Sequence, residues 1–303
     1  SCRARAEGRV NVLVSGAVTR GQKGAELTEM RKMAEAGAVA ATDDGRPLMN
    51  AQVMRRALEY AKAFDFPILD HCEDDCLSAG GVMNEGAASL AKGVTGIPAA
   101  SESCMAMRDI TLAELTGGRL HLCHVSCAET VELARRAKKR GVRVTAETAP
   151  HYFTLTDADV PGYDANFKMN PPLRSKADRE AVLEGLADGT LDAIATDHAP
   201  HAPGKKALGL AAAPFGVIGL ETLLPLTLAL VERKVLSRKA AVARLSAAPA
   251  RILGLKTKGS LRPGMDGDVT LVDPNARCRA DGFESKSSNS PFADHKLQGR
   301  AVL

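Results

Sequence analysis

Leu191-Asp-Ala-Ile-Ala-Thr-Asp197-His-Ala-Pro-His201 is the stretch on which the reading of the fold turns. Ala193 to Thr196 is a short, mostly apolar run, as expected for a strand buried on both faces. The run ends in Asp197; His198 and His201 follow, and Pro200 prevents further strand. A carboxylate at the C-terminal end of a buried parallel strand is where a (β/α)8 barrel places its chemistry.

Five earlier runs repeat the design. Strands are expected over 10–18, 38–45, 66–73, 119–126 and 142–149, with 191–197 as the sixth. Between and after them lie helical patterns at 26–36, 52–64, 81–92, 102–116, 128–140, 176–187, 217–233 and 237–253. Alternating strands and helices predict a parallel sheet. No G-x-G-x-x-G follows the first strand and no G-x-x-x-x-G-K-[ST] occurs, which weakens a nucleotide-binding doubly wound sheet. The expected fold class is α/β, a (β/α)8 barrel over 1–255 from which two N-terminal strands are missing. Residues 256–303 are expected to form a small C-terminal β-sandwich segment around a strand at 268–272. The chain starts Ser1-Cys-Arg-Ala-Arg-Ala without Met and stops in a strand-like run at Leu303, so both ends are read as cut.

Composition narrows the function classes. Of 303 residues, 45% are hydrophobic and 25% charged, ordinary for a globular protein. The net charge of +4 gives no reason to expect a nucleic-acid partner, and the basic run Arg135 to Arg140 follows helical spacing. No signal peptide and no apolar run of about 18 residues is seen, so no membrane span is expected and the assigned compartment is the cytoplasm. Seven irregularly spaced cysteines do not suggest a disulfide framework.

Four of the strands end in metal-ligand types: Asp43-Asp44, His71, His124 and Asp197. One such residue alone is more often a turn former or a cap. Four at the converging ends of barrel strands point to a shared site. Two imidazoles and two carboxylates suit Zn²⁺ or a similar ion at an open catalytic position. The chemistry expected is metal-assisted hydrolysis, or its reverse, at an amide-like carbon. Strand alternation places Asp70 and Cys72 opposite His71, and His121 and Cys123 opposite His124. That speaks against a structural zinc site built from Cys72, Cys76, Cys123 and Cys127.

The motifs Thr42-Asp-Asp-Gly45, Asp70-His-Cys-Glu-Asp74, His121-Leu-Cys-His-Val-Ser126, Thr145-Ala-Glu-Thr-Ala-Pro-His151, Asn170-Pro-Pro-Leu-Arg174, Thr196-Asp-His-Ala-Pro-His201 and Pro214 to Thr222 run through the chain in order. Ser287-Ser-Asn-Ser-Pro-Phe292 closes the series. Together they resemble the amidohydrolase superfamily and, within it, the bacterial class I dihydroorotases. The resemblance implies that Asp44, His71, His124 and Asp197 hold Zn²⁺, one or two ions per site, with Asp197 as the catalytic acid/base. Asn170 and His201, with the backbone at Phe215 and Gly216, are implied as substrate contacts. The implied reaction is the reversible closure of N-carbamoyl-L-aspartate to L-dihydroorotate in pyrimidine synthesis. A homo-oligomer and association with aspartate transcarbamoylase are further implications.

The chain departs from the family pattern at its start. The family's first strand carries His-x-His-x-Arg, absent here, and the first strand of this chain corresponds to the family's third. That agrees with the deficit of two strands. The segment 204–213 is less acidic than the family leads one to expect and is read as loop variation. Two other readings are weighed: a dihydropyrimidinase or allantoinase, which resemble the same scaffold but usually use a bridging Lys, and a non-catalytic scaffold for the transcarbamoylase.

Overall fold

Six short strands lie side by side in chain order, every neighbouring pair parallel: β1 (Val14–Gly16), β2 (Ala38–Ala41), β3 (Pro67–Asp70), β4 (Arg119–Leu122), β5 (Val144–Thr148) and β6 (Ala193–Ile194). The computed structural model describes residues 10–279, 283–293 and 295–302; the expectation about Ser1 falls outside them. Crossovers between parallel strands are right-handed. A sheet whose strands follow chain order therefore carries all its helices on one face and curls toward the other, as the wall of a (β/α)8 barrel does.

The helices on the outer face are α1 (Met30–Glu35), α2 (Ala51–Lys62), α3 (Ala100–Thr116), α4 (Ala128–Lys139), α5 (Lys176–Asp188) and α6 (Leu220–Glu232). Helix α2 illustrates why these segments form. The Asn50 side chain accepts hydrogen bonds from Gln52 N (2.9 Å) and Val53 N (3.3 Å), capping the first turn. Met54, Ala57, Leu58 and Ala61 recur at helical spacing and are buried against the sheet. No helix among the described residues is long and apolar enough to cross a membrane.

Several elements differ from expectation, each for a reason of pairing. Strand β1 covers 14–16 rather than 10–18, and β6 only two residues. The helix expected from Glu26 begins at Met30, because Leu27 is held in an antiparallel bridge to Thr19 and Thr28 N donates to Val18 O (2.9 Å). The helix expected over 81–92 is confined to Ala87–Lys92. Met83–Asn84 instead pairs with Gly96–Ile97. A Cβ on Gly96 would lie 2.3 Å from Glu85 Cα, so only glycine admits that approach. The strand expected at 268–272 lies later: β7 (Val272–Arg279) pairs antiparallel with β8 (Lys296–Ala301). Phe292 and Leu297 from this region are buried in the same core cluster as the sheet.

Candidate metal centre

The ends of β2, β3, β4 and β6 release their chains on one rim of the sheet. Asp44, His71 and His124 meet there. His71 Nδ1 and His124 Nε2 are 2.9 Å apart. Asp44 Oδ1 lies 3.4 Å from the first and 3.3 Å from the second. Both imidazoles are buried, while the Asp44 side chain is 45% exposed and leaves the cluster open on one side. A tetrahedral ion with bonds of about 2.0 Å separates its ligand atoms by roughly 3.3 Å. The three donors therefore stand at the spacing of a ligand shell.

Backbone strain accompanies this convergence. His124 has φ +37° and Asp197 has φ +47°. Left-handed conformations at non-glycine residues cost on the order of 1–3 kcal/mol and persist where the surroundings impose them. At His124 the consequence is visible. Strand β4 stops at Leu122, and the left-handed turn swings His124 back over the concave face.

This overturns one expectation from alternation. Leu69 pairs with His121 and Asp70 with Leu122. The Asp70 carboxyl and the Cys72 thiol sit with Asp109 of α3, on the helix side. Leu69 and His121 therefore face the concave side, the side of His71. Burial pushes the Cys123 thiol up, and the carboxylates of Glu147, Asp44, Asp70 and Asp197 add to it. His121 and Cys123 thus share the face of His124, because strand periodicity ends at the left-handed residue. The four cysteines 72, 76, 123 and 127 do not converge: Cys72 groups with Asp70 and Asp109, Cys123 with His121 and Glu147.

Charge at the rim is concentrated. Burial opposes protonation of His71, but the Asp44 and Glu73 carboxylates outweigh it and raise its pKa to about 10. His124 is raised as well, against burial, by hydrogen bonding to Asp44. Burial works against ionisation of Asp44, yet the two imidazoles hold its carboxyl well below the usual range. Without an ion the cluster holds a proton by the same attraction that would hold a cation. Asp197 shows the opposite behaviour: desolvation raises it.

Glu73, within the motif Asp70–Asp74, braces His71. Its Oε2 lies 2.9 Å from His71 Nε2, fixing the imidazole so that Nδ1 faces the cluster. Burial opposes its ionisation, but His71 and Asn170 lower its pKa to about 2. His124 Nδ1 is buried with no hydrogen-bond partner among the described residues. Asp43 is separate from Asp44: it accepts from Val18 N (2.8 Å) and Thr19 N (3.1 Å) and pins the loop that follows β1.

Of the other expected residues, Asn170 reaches the cluster through Glu73, while His201, Phe215 and Gly216 meet one another beyond β6. Asn170 donates to Glu73 Oε2 (2.9 Å) and precedes a cis Pro171. His201 Nε2 lies 2.7 Å from Phe215 O, and Gly216 N donates to Lys168 O (2.9 Å). His198 Nδ1 accepts from Gly219 N (3.1 Å), at the start of α6. Asn289, from the tail motif, has a role that its sequence position does not signal. It bridges Ala199 O (3.0 Å) and Gly216 O (3.1 Å) and accepts from His201 N (3.2 Å), tying the two loops together. The segment 204–213 also has a structural part to play. Lys206 donates to Ala165 O, Lys168 O and Pro214 O, and burial lowers its pKa to about 8.

Comparisons agree with this geometry. Residues 1–130 match a family described as dihydro-orotase-like. A dihydroorotase of Desulforapulum autotrophicum is 52% identical, covering 99% of this chain and 71% of that protein. A dihydroorotase of Pelotomaculum thermopropionicum is 55% identical, covering 97% and 69%. Among solved structures, an L-hydantoinase (dihydropyrimidinase) from Arthrobacter aurescens superposes with a TM-score of 0.85 at 27% identity, over 97% of this chain and 68% of that one.

Proposed function

The chain belongs to the dihydroorotase family of the amidohydrolase superfamily, and on that premise we propose that it catalyses the reversible cyclisation of N-carbamoyl-L-aspartate to L-dihydroorotate. The observation that carries the reading is the convergence of Asp44, His71 and His124 in a chain more than half identical to dihydroorotases. The superfamily is metal-dependent, and the mixed imidazole–carboxylate set suits Zn²⁺, one or two ions per site.

Asp44, His71, His124 and Asp197 would hold the ion, with Glu73 orienting His71. A divalent cation there supplies Lewis acidity and makes a water nucleophilic near neutral pH. In the hydrolytic direction Asp197 takes the proton released by the attacking water. It then delivers that proton to the ring nitrogen as the carbon–nitrogen bond breaks. Burial of Asp197 raises its proton affinity and suits it to that exchange. Asn170, His201 and the backbone at Phe215 and Gly216 are the substrate contacts of this reading. A homo-oligomer, a transcarbamoylase partner and a cytoplasmic location belong to the same reading.

The test is turnover of dihydroorotate, dihydrouracil, hydantoin and allantoin by the gene product that contains these residues. Dihydroorotate is expected to be preferred, and Asp197→Asn to lose turnover by about 10²–10⁴-fold. Preference for dihydrouracil or hydantoin would transfer the assignment to the dihydropyrimidinases. Metal-free protein with no turnover would leave the scaffold role.

A further inference from the structure

We propose that His121, Cys123 and Glu147 form a second cation site, one layer below Asp44, His71 and His124 on the same face of the sheet, selective for thiophilic ions such as Zn²⁺ and Cd²⁺. One ligand atom from each of the three lies within 4.8 Å of the other two. The donors come from the adjacent paired strands β4 and β5 and the residue just beyond β4, so rigid backbone holds their spacing.

His121 is 2% exposed, and both of its ring nitrogens are committed. Nδ1 lies 2.8 Å from Oγ1 of Thr145, its partner across the ladder. Nε2 lies 3.2 Å from Glu147 Oε2, close to the roughly 3.3 Å that separates two ligands of one tetrahedral ion. With the Nδ1 proton on Thr145, Nε2 turns a lone pair toward a carboxylate, and two acceptors face each other. A cation between them resolves that opposition. The arrangement repeats the upper layer, where an outer partner holds one nitrogen of His71 and leaves the other to the cluster.

Cys123 supplies the third donor. It is a free thiol without a hydrogen-bond partner among the described residues. On binding, its proton leaves to solvent and the sulfur coordinates as thiolate. Thiolate, imidazole and carboxylate together favour Zn²⁺ or Cd²⁺ over Mg²⁺, Ca²⁺ or Mn²⁺. The upper cluster contains no sulfur, and Cys72 stands apart with Asp70 and Asp109, so the thiolate signal that Cys123→Ser removes is the one that reports the lower site. The competing arrangement is an ion-free pair, in which the Thr145 hydroxyl donates to Nδ1 and Nε2–H donates to Glu147.

The deciding experiment titrates Cd²⁺ into the gene product containing these residues, with Cys2, Cys76, Cys104 and Cys278 replaced by Ser and Cys72, which stands with Asp70 and Asp109, replaced by Ala. Ultraviolet thiolate-to-cadmium absorption is followed. A saturable band equivalent to one thiolate per chain is expected. Cys123→Ser should abolish it, and His71→Gln should leave it. His121→Gln and Glu147→Gln should each retain sulfur absorption but weaken binding by about tenfold or more. No band, a band that survives Cys123→Ser, or unchanged affinity in both His121→Gln and Glu147→Gln would overturn the proposal in favour of the ion-free pair.

Discussion

Asn170 Nδ2 lies 2.9 Å from Glu73 Oε2, the same oxygen that faces Nε2 of His71 at 2.9 Å. One carboxylate oxygen therefore links a loop implied in substrate binding to a candidate metal ligand. Glu73→Gln should lower metal affinity by roughly 10–100-fold, because the imidazole loses its charged outer partner. Competition against a graded chelator measures this; unchanged affinity would remove Glu73 from the metal centre.

Arg174 and Glu102 are an ion pair at 3.7 Å with side chains 2% and 3% exposed. Arg174 also donates to Ser126 Oγ (3.1 Å), Asn84 Oδ1 (3.1 Å) and Ile97 O (2.8 Å), and Glu102 accepts from Ser126. Arg174→Met strands a buried carboxylate and should cost about 3–5 kcal/mol. Adding Glu102→Gln should recover part of that loss. Denaturant midpoints of the two single variants and the double variant test it, and additive losses would contradict the coupling.

His151 is buried against Tyr152, with ring centroids 4.2 Å apart and Nε2 lacking a partner among the described residues. Burial pushes its pKa down to about 3. Between about pH 6.5 and about pH 3 the unfolded chain binds a proton that the folded chain refuses, so this residue's contribution to stability falls as pH falls through that window. His151→Phe should flatten the stability–pH curve there. An unchanged slope would mean that His151 does not titrate on unfolding.

Gly216 has φ +124°, and a Cβ there would lie 2.6 Å from Ala199 Cβ and 2.9 Å from His201 Nε2. Gly216→Ala should cost on the order of 1–3 kcal/mol and displace His201. In the proposed reaction the same change should raise KM more than it lowers kcat. A variant with wild-type stability and KM would show that the loop carrying His201 yields freely.

Much of this protein is legible in one dimension. Apolar runs at 38–41, 67–70 and 144–148 mark strands because each is flanked by its own turn and helix signals, and parallel order follows from their alternation with helices. The ligand types at the strand ends, Asp44, His71, His124 and Asp197, stand out because chemistry-bearing residues there break an apolar pattern. What the chain alone does not reveal is decided by contacts between distant segments. Strand lengths depend on which neighbour pairs, so β6 shrinks to two residues and 83–84 pairs with 96–97 in place of a helix. The facing of His121 and Cys123 hangs on one left-handed residue, His124, whose conformation local sequence does not encode. Glu73 acquires its partners across 2 and 97 positions, Asn289 across 73 to 90 and Lys206 across 8 to 41, and only folding brings the more distant of those atoms together.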